Sequence, residues 1–213
     1  MEPKQALCVG GPPALHGQLE AAYAAADVKL RVIQSPLVGD DLEAFRAAPQ
    51  DADIFVWAAY APHDARFETL TVETVREYLE HTLYSAFTMM QACLLGMERR
   101  RYGRILALSN LSSRLGDEDI LASSVSGAME GLIRSVAREA ARRGVTANAL
   151  SIGLVEDWPE ASSRIAKPFY DVFFTFREPF RTSDLAQTIV ELTTSRAGKL
   201  NGQIIGFDGG TSL

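Results

Sequence analysis

Apolar runs of strand length alternate along this chain with segments of helical period. ALCVGG, VKLRVI, ADIFVWAAYA, GRILALSN and VTANALSIG read as strands, and LHGQLEAAYAAA after the first reads as a helix. Strands that are apolar on both faces, with helices between them, indicate a parallel sheet covered on two sides. A long helix is expected over about 71–98, where Val72, Val75, Leu79, Leu83, Phe87, Met90 and Leu94 recur at three- and four-residue steps, a stripe that predicts burial. A second is expected over about 121–142, with Val125, Met129, Leu132, Ile133 and Val136 on one side and Arg134, Arg138 and Arg142 elsewhere. Between Val32 and Asp53 the chain is too short for a full crossover with a strand. A short strand near Pro36–Val38 and a helix from Asp40 to Ala48 are expected there.

Composition narrows the classes. Hydrophobic residues make up 47% of the 213 and charged ones 23%, and no apolar run approaches the roughly 18 residues of a membrane span. Net charge is -6, and no basic cluster exceeds Arg99–Arg101, which argues against nucleic acid as a partner and gives no sign of a membrane. Cys8 falls in a predicted strand and Cys93 in a helix, so both read as reduced core thiols. MEPKQALCVGG is too short and too soon interrupted for a signal peptide, so a cytoplasmic location is expected. No metal site is expected, and residues 1–213 read as one domain.

GRILALSN, the 121–142 helix, VTANALSIG and the ending LNGQIIGFDGG together resemble the short-chain dehydrogenase/reductase family. The resemblance implies an α/β Rossmann-like, doubly wound, mainly parallel sheet of about six to seven strands, here with a shortened region after the second. It also implies landmarks, and most of these have changed. The three glycines of the family's TGxxxGxG turn fall on Gly10, Ala14 and His16. The NNAG after the fourth strand corresponds to Trp57, Ala58, Ala59 and Tyr60, and no acidic residue follows VKLRVIQSP until Asp40. The catalytic serine, tyrosine, lysine and asparagine match Asn110, Ala122, Ser126 and Thr82. The tyrosine and lysine losses do not depend on alignment. Four residues beyond Tyr23, Tyr60, Tyr78, Tyr84, Tyr102 and Tyr170 stand Asp27, Asp64, Thr82, Thr88, Leu106 and Phe174, so no YxxxK exists.

What is retained specifies the fold: Asn148, Gly153, Asp208, Gly209 and Gly210 match family positions at the last two strands. The helices over about 71–98 and 121–142 match those through which family members commonly dimerise, so the partner expected is a second copy or an active paralogue. Residues 154–180 correspond to the family's substrate loop and hold Trp158, Phe169, Tyr170, Phe173, Phe174, Phe176 and Phe180. Ser109, Asn110, Ser123 and Trp158 would border a small-molecule pocket if one exists.

These losses favour a pseudoenzyme, a structural or regulatory subunit that binds no NAD or NADP and transfers no hydride. Two alternatives stay open. One is an atypical NAD(P)-dependent oxidoreductase using Tyr60, Tyr84 or His81 as acid. The other is a non-redox enzyme distantly like halohydrin dehalogenases, whose serine, tyrosine and arginine are also absent. Substrate and pathway are not written in these residues.

Overall fold

The computed structural model describes residues 3–34, 50–59, 63, 66–116, 119–156, 158, 180–194 and 198–212. Six strands form one sheet: β1 (Lys4–Val9), β2 (Val28–Ile33), β3 (Ile54–Trp57), β4 (Gly103–Asn110), β5 (Val145–Ile152) and β6 (Ile204–Phe207). Every pairing is parallel, and the order is β2-β1-β3-β4-β5-β6. The doubly wound expectation holds. The strand and helix expected at 36–38 and 40–48 lie outside the described residues.

The inner strands are mostly apolar because alternate side chains enter two different cores. Leu7, Val9, Phe55, Trp57, Ile105 and Ala107 point to one face, Ala6, Cys8, Ile54, Val56, Leu106 and Leu108 to the other. α2 (Val72–Leu79) leads into a π turn (Glu80–Tyr84) whose Leu83 packs against the first face, and α3 (Ser85–Arg100) and α5 (Ile120–Ala140) cover that face. The second is covered by α1 (Pro13–Ala25) and α6 (Thr182–Thr194), which also pack on each other. A single turn, α4 (Ser112–Leu115), links β4 to α5.

Caps set several helix starts. The Thr74 N–H donates to Thr71 Oγ1 at α2, and the Ala122 N–H donates to Asp119 Oδ1 at α5. The expected 71–98 helix is thus α2 and α3 joined through the π turn, ending at Arg100, while α5 ends at Ala140 and passes into a 3₁₀ turn. The stripe expected over 71–98 is corrected in part. Met90 is buried and Leu83 and Leu94 pack against the core beneath the sheet, beside Met89, Cys93 and Met97, whereas Val72 is 67% exposed, Phe87 49% and Leu79 38%. Those three members of the row lie on the outer surface.

Candidate functional site

The chain leaves β1 toward β2 on one side and returns to β3 on the other. The sheet order therefore reverses at β1/β3, and the crevice at their carboxyl ends is where open α/β sheets bind ligands. Gly10 and Gly11 occupy that turn with φ +74° and +88°. A Cβ on Gly10 would stand 2.4 Å from Ala59 Cα, so glycine is required there for space as well as for conformation. The Gly10 N–H donates to the Ile33 carbonyl at 2.9 Å, tying the turn to the end of β2. Ala14 points its methyl into solvent on α1. His16 is half-buried and sets its Nε2 2.8 Å from the Gly10 carbonyl oxygen. Beneath the turn the Cys8 thiol, pushed up to about 12 by burial, donates to the same oxygen at 3.8 Å. Arg31, the one basic side chain near the end of β2, is paired with Asp51 at 3.6 Å. The glycine turn fits a dinucleotide pyrophosphate in backbone shape, with the imidazole beside it as the departure.

The positions of the family tetrad lie around the carboxyl end of β4. Ala122 is buried, and so is Ser126 one turn further along α5. Ser126 Oγ accepts the Asn110 N–H at 3.0 Å, which straps α5 to the end of β4. Asn110 is itself oriented, because its Oδ1 accepts the Ser112 N–H at 2.8 Å, leaving the Nδ2 donors for other use. Thr82 sits in the π turn with Oγ1 donating to the Tyr78 carbonyl, and Ser85 Oγ donates to the Glu80 carbonyl at 2.7 Å. The Glu80 carbonyl also takes the Ser85 N–H, the five-residue bond of the π turn, so the hydroxyl is its second donor.

Two further groups were missed in the sequence. Glu130, buried on α5, accepts the Ser109 hydroxyl at 3.1 Å and the Ser113 hydroxyl at 2.7 Å on Oε1, with the exposed Arg134 guanidinium 3.9 Å from Oε2. An acidic residue four positions after Ser126, inside the buried stripe of an apolar helix, was the available signal. Asp119, besides capping α5, takes the His63 N–H on Oδ2 at 2.7 Å, and the His63 ring packs edge-on to Tyr78 with centroids 5.9 Å apart. That link joins residues 56 apart through a backbone amide, and no sequence pattern announces it.

Of the residues expected to border a pocket, Ser109 and Trp158 lie on opposite faces of the sheet. Ser109 faces α5 through Glu130, while Trp158 is buried among Leu150, Ile152 and Leu185 on the opposite face, its Nε1 without a partner among the described residues. Ser123 lies half-buried on α5. Of the alternative acids, Tyr84 is 54% exposed on the outer helical surface, His81 is half-buried in the π turn, and Tyr60 lies outside the described residues. Most of 154–180 lies outside them too. Among the described residues no group of three or more His, Cys, Asp or Glu is arranged to hold a metal, and no helix is long and apolar enough to cross a membrane.

Residues 19–212 match the family model described as enoyl-(acyl carrier protein) reductase. The 2,3-dihydroxy-2,3-dihydro-p-cumate dehydrogenase of Pseudomonas putida is 32% identical over 149 residues, 67% of this chain and 57% of the relative, so the chain spans little more than half of that protein's length. The 3-oxoacyl-[acyl-carrier-protein] reductase FabG of Escherichia coli is 25% identical over 185 residues, 85% of this chain and 75% of that one. A solved oxidoreductase of the short chain dehydrogenase/reductase family from Burkholderia thailandensis superposes with a TM-score of 0.86 at 21% identity, covering 99% of this chain and 93% of that one. The chain belongs to the short-chain dehydrogenase/reductase family.

That membership corrects two expectations. A pseudoenzyme without hydride transfer, and a chain with no cofactor, are overturned by relatives named as dehydrogenases and reductases in a family of NAD(P)-dependent oxidoreductases. The physical reason lies in the turn. Counting lost glycines overstated the damage, because the one that sterics demand, Gly10, is kept and the Ala14 methyl points away into solvent.

Proposed function

We propose that this short-chain dehydrogenase/reductase is an NAD(P)-dependent oxidoreductase that interconverts a secondary alcohol and its ketone without the tyrosine and lysine of its relatives. The observation that carries the reading is the turn from β1 into α1, where Gly10 is held at φ +74° against Ala59 beyond β3 as a dinucleotide-binding crossover requires. When bound, the nicotinamide gives or takes the hydride. The protein's part is to hold the oxygen that gains or loses the proton. Asn110 suits this task, because the Ser112 amide fixes its Oδ1 and its Nδ2 hydrogens remain to donate to a carbonyl oxygen. Ser126, fixed by the Asn110 amide, keeps its own hydroxyl hydrogen to give. Neither is a strong acid, so the proton comes from water. Turnover should then trail an enzyme with a positioned acid by about 10²- to 10⁴-fold.

Titration of NADH and NADPH against the protein, followed by nicotinamide fluorescence, tests the reading. Saturable binding of one of them, with a dissociation constant of about 1 mM or tighter, is expected. A flat titration for both overturns it. The relatives suggest the first compounds to try for turnover, a 3-oxoacyl thioester and a cis-dihydrodiol.

We also propose that two copies pair through α2, α3 and α5. Leu79, Leu83, Tyr84, Phe87, Ala128 and Leu132 line one continuous apolar groove there, and Val72 and Val75 extend it. A row of this kind facing water is what a helical dimer interface covers. A cytoplasmic setting fits the two buried free thiols, Cys8 and Cys93.

A further inference from the structure

The turn from β1 into α1 is poor in hydrogen-bond donors. Pro12 and Pro13 have no amide hydrogen, and Pro13 stands at the first position of the helix. The amides of Leu15 and His16 turn back onto the Pro12 carbonyl, at 3.0 and 3.3 Å. An anion arriving here would meet fewer free N–H groups than a helix start ordinarily presents. One side chain in the turn can make up the difference. The His16 ring bonds to the Gly10 carbonyl, which only accepts, so Nε2 carries the hydrogen and Nδ1 of the neutral ring is a bare acceptor. Protonation makes Nδ1 a charged donor while leaving the bond to Gly10 in place.

We infer that His16, as its imidazolium, contacts the cofactor pyrophosphate and replaces the amides that the two prolines remove. The inference rests on the NAD(P) reading above. Among the described residues, the titratable groups on the elements packed around the ring include Lys4 at the far end of β1 and Tyr23 on α1, the latter kept neutral by burial. Cys8 on β1 is held as a thiol by burial, Glu20 lies one turn on along α1, and α6 contributes Asp184 and Glu191, both exposed. Lys29 and Arg31 are the cations of β2, the second committed to Asp51. None of them is hydrogen-bonded to the ring, whose partner is Gly10.

The test is the dissociation constant of NADH, which lacks a titrating 2'-phosphate, measured by fluorescence between about pH 6 and 8.5. Wild type, His16→Gln and His16→Ala are compared in the full chain. Wild-type binding should tighten by about tenfold on acidification, the worth of one charge-assisted hydrogen bond, while both variants stay flat. Thermal melts of the three free proteins check folding, and if His16→Ala melts early, His16→Gln, which keeps a donor for Gly10, decides. A pH-independent wild type, or a His16→Ala that binds more tightly, overturns the inference alone, the latter by marking the ring as an obstacle. No binding by any of the three at any pH removes the cofactor reading and this inference with it.

Discussion

Glu130 shows how much one buried side chain settles locally. Its Oε1 is the acceptor for two serine hydroxyls, one at the end of β4 and one in α4, so it fixes both against α5. Glu130→Ala would strand those hydroxyls and should cost about 1–3 kcal/mol of stability, read as a lower urea midpoint at unchanged slope. Replacing Ser109 and Ser113 by alanine along with Glu130→Leu should recover much of it, since removing a whole polar group leaves nothing unsatisfied. Glu130 went unread in the sequence, although a charge within an apolar helical row was the signal for it. The roles of Asn110 and Ser126 were not, because they bond through a backbone amide. Alignment could say which residues were lost at the tetrad positions, but it could not say that the replacements bond to each other.

At the scale of elements, periodicity revealed the helices but not their sides. The row from Val72 to Leu94 meets the core only through Leu83, Met90 and Leu94, and the buried face continues through Thr82, Met89, Cys93 and Met97, which the row left out. Two causes combine. A π turn at Glu80–Tyr84 absorbs an extra residue and shifts the face in a way a fixed 3.6-residue count misses, and a row that meets a second subunit looks the same in sequence as one that meets the core. The strands were easier, because continuous apolar runs leave no face to choose. If α2, α3 and α5 meet a second copy, Phe87→Glu should put a charge into the interface and turn the dimer into a monomer by analytical ultracentrifugation. Its melting temperature should fall and lose its dependence on protein concentration, since the partner no longer stabilises the folded chain by mass action. A wild-type chain that sediments as a monomer at tens of micromolar would refute the pairing.

For the whole molecule, the two cores on either side of the sheet each hold one cysteine, Cys8 of β1 beneath α1 and α6, and Cys93 on the inner side of α3. Burial lifts both thiols from 9.0 to about 12. Their folded values are raised, so the unfolded chain loses these protons first, and the stability they contribute is intact below about pH 9 and drains away as pH climbs toward 12. Urea midpoints measured upward from pH 8 should fall beyond pH 9, and less steeply in a Cys8→Ala, Cys93→Ala protein. The same placement gives the fold a pair of built-in reporters. A thiol-reactive dye can reach Cys8 only when the α1/α6 layer lifts, and Cys93 only when the α3/α5 layer does. Labelling rates in the two single-cysteine proteins would therefore time the opening of each layer separately, and show whether a dinucleotide quiets one side of the sheet or both.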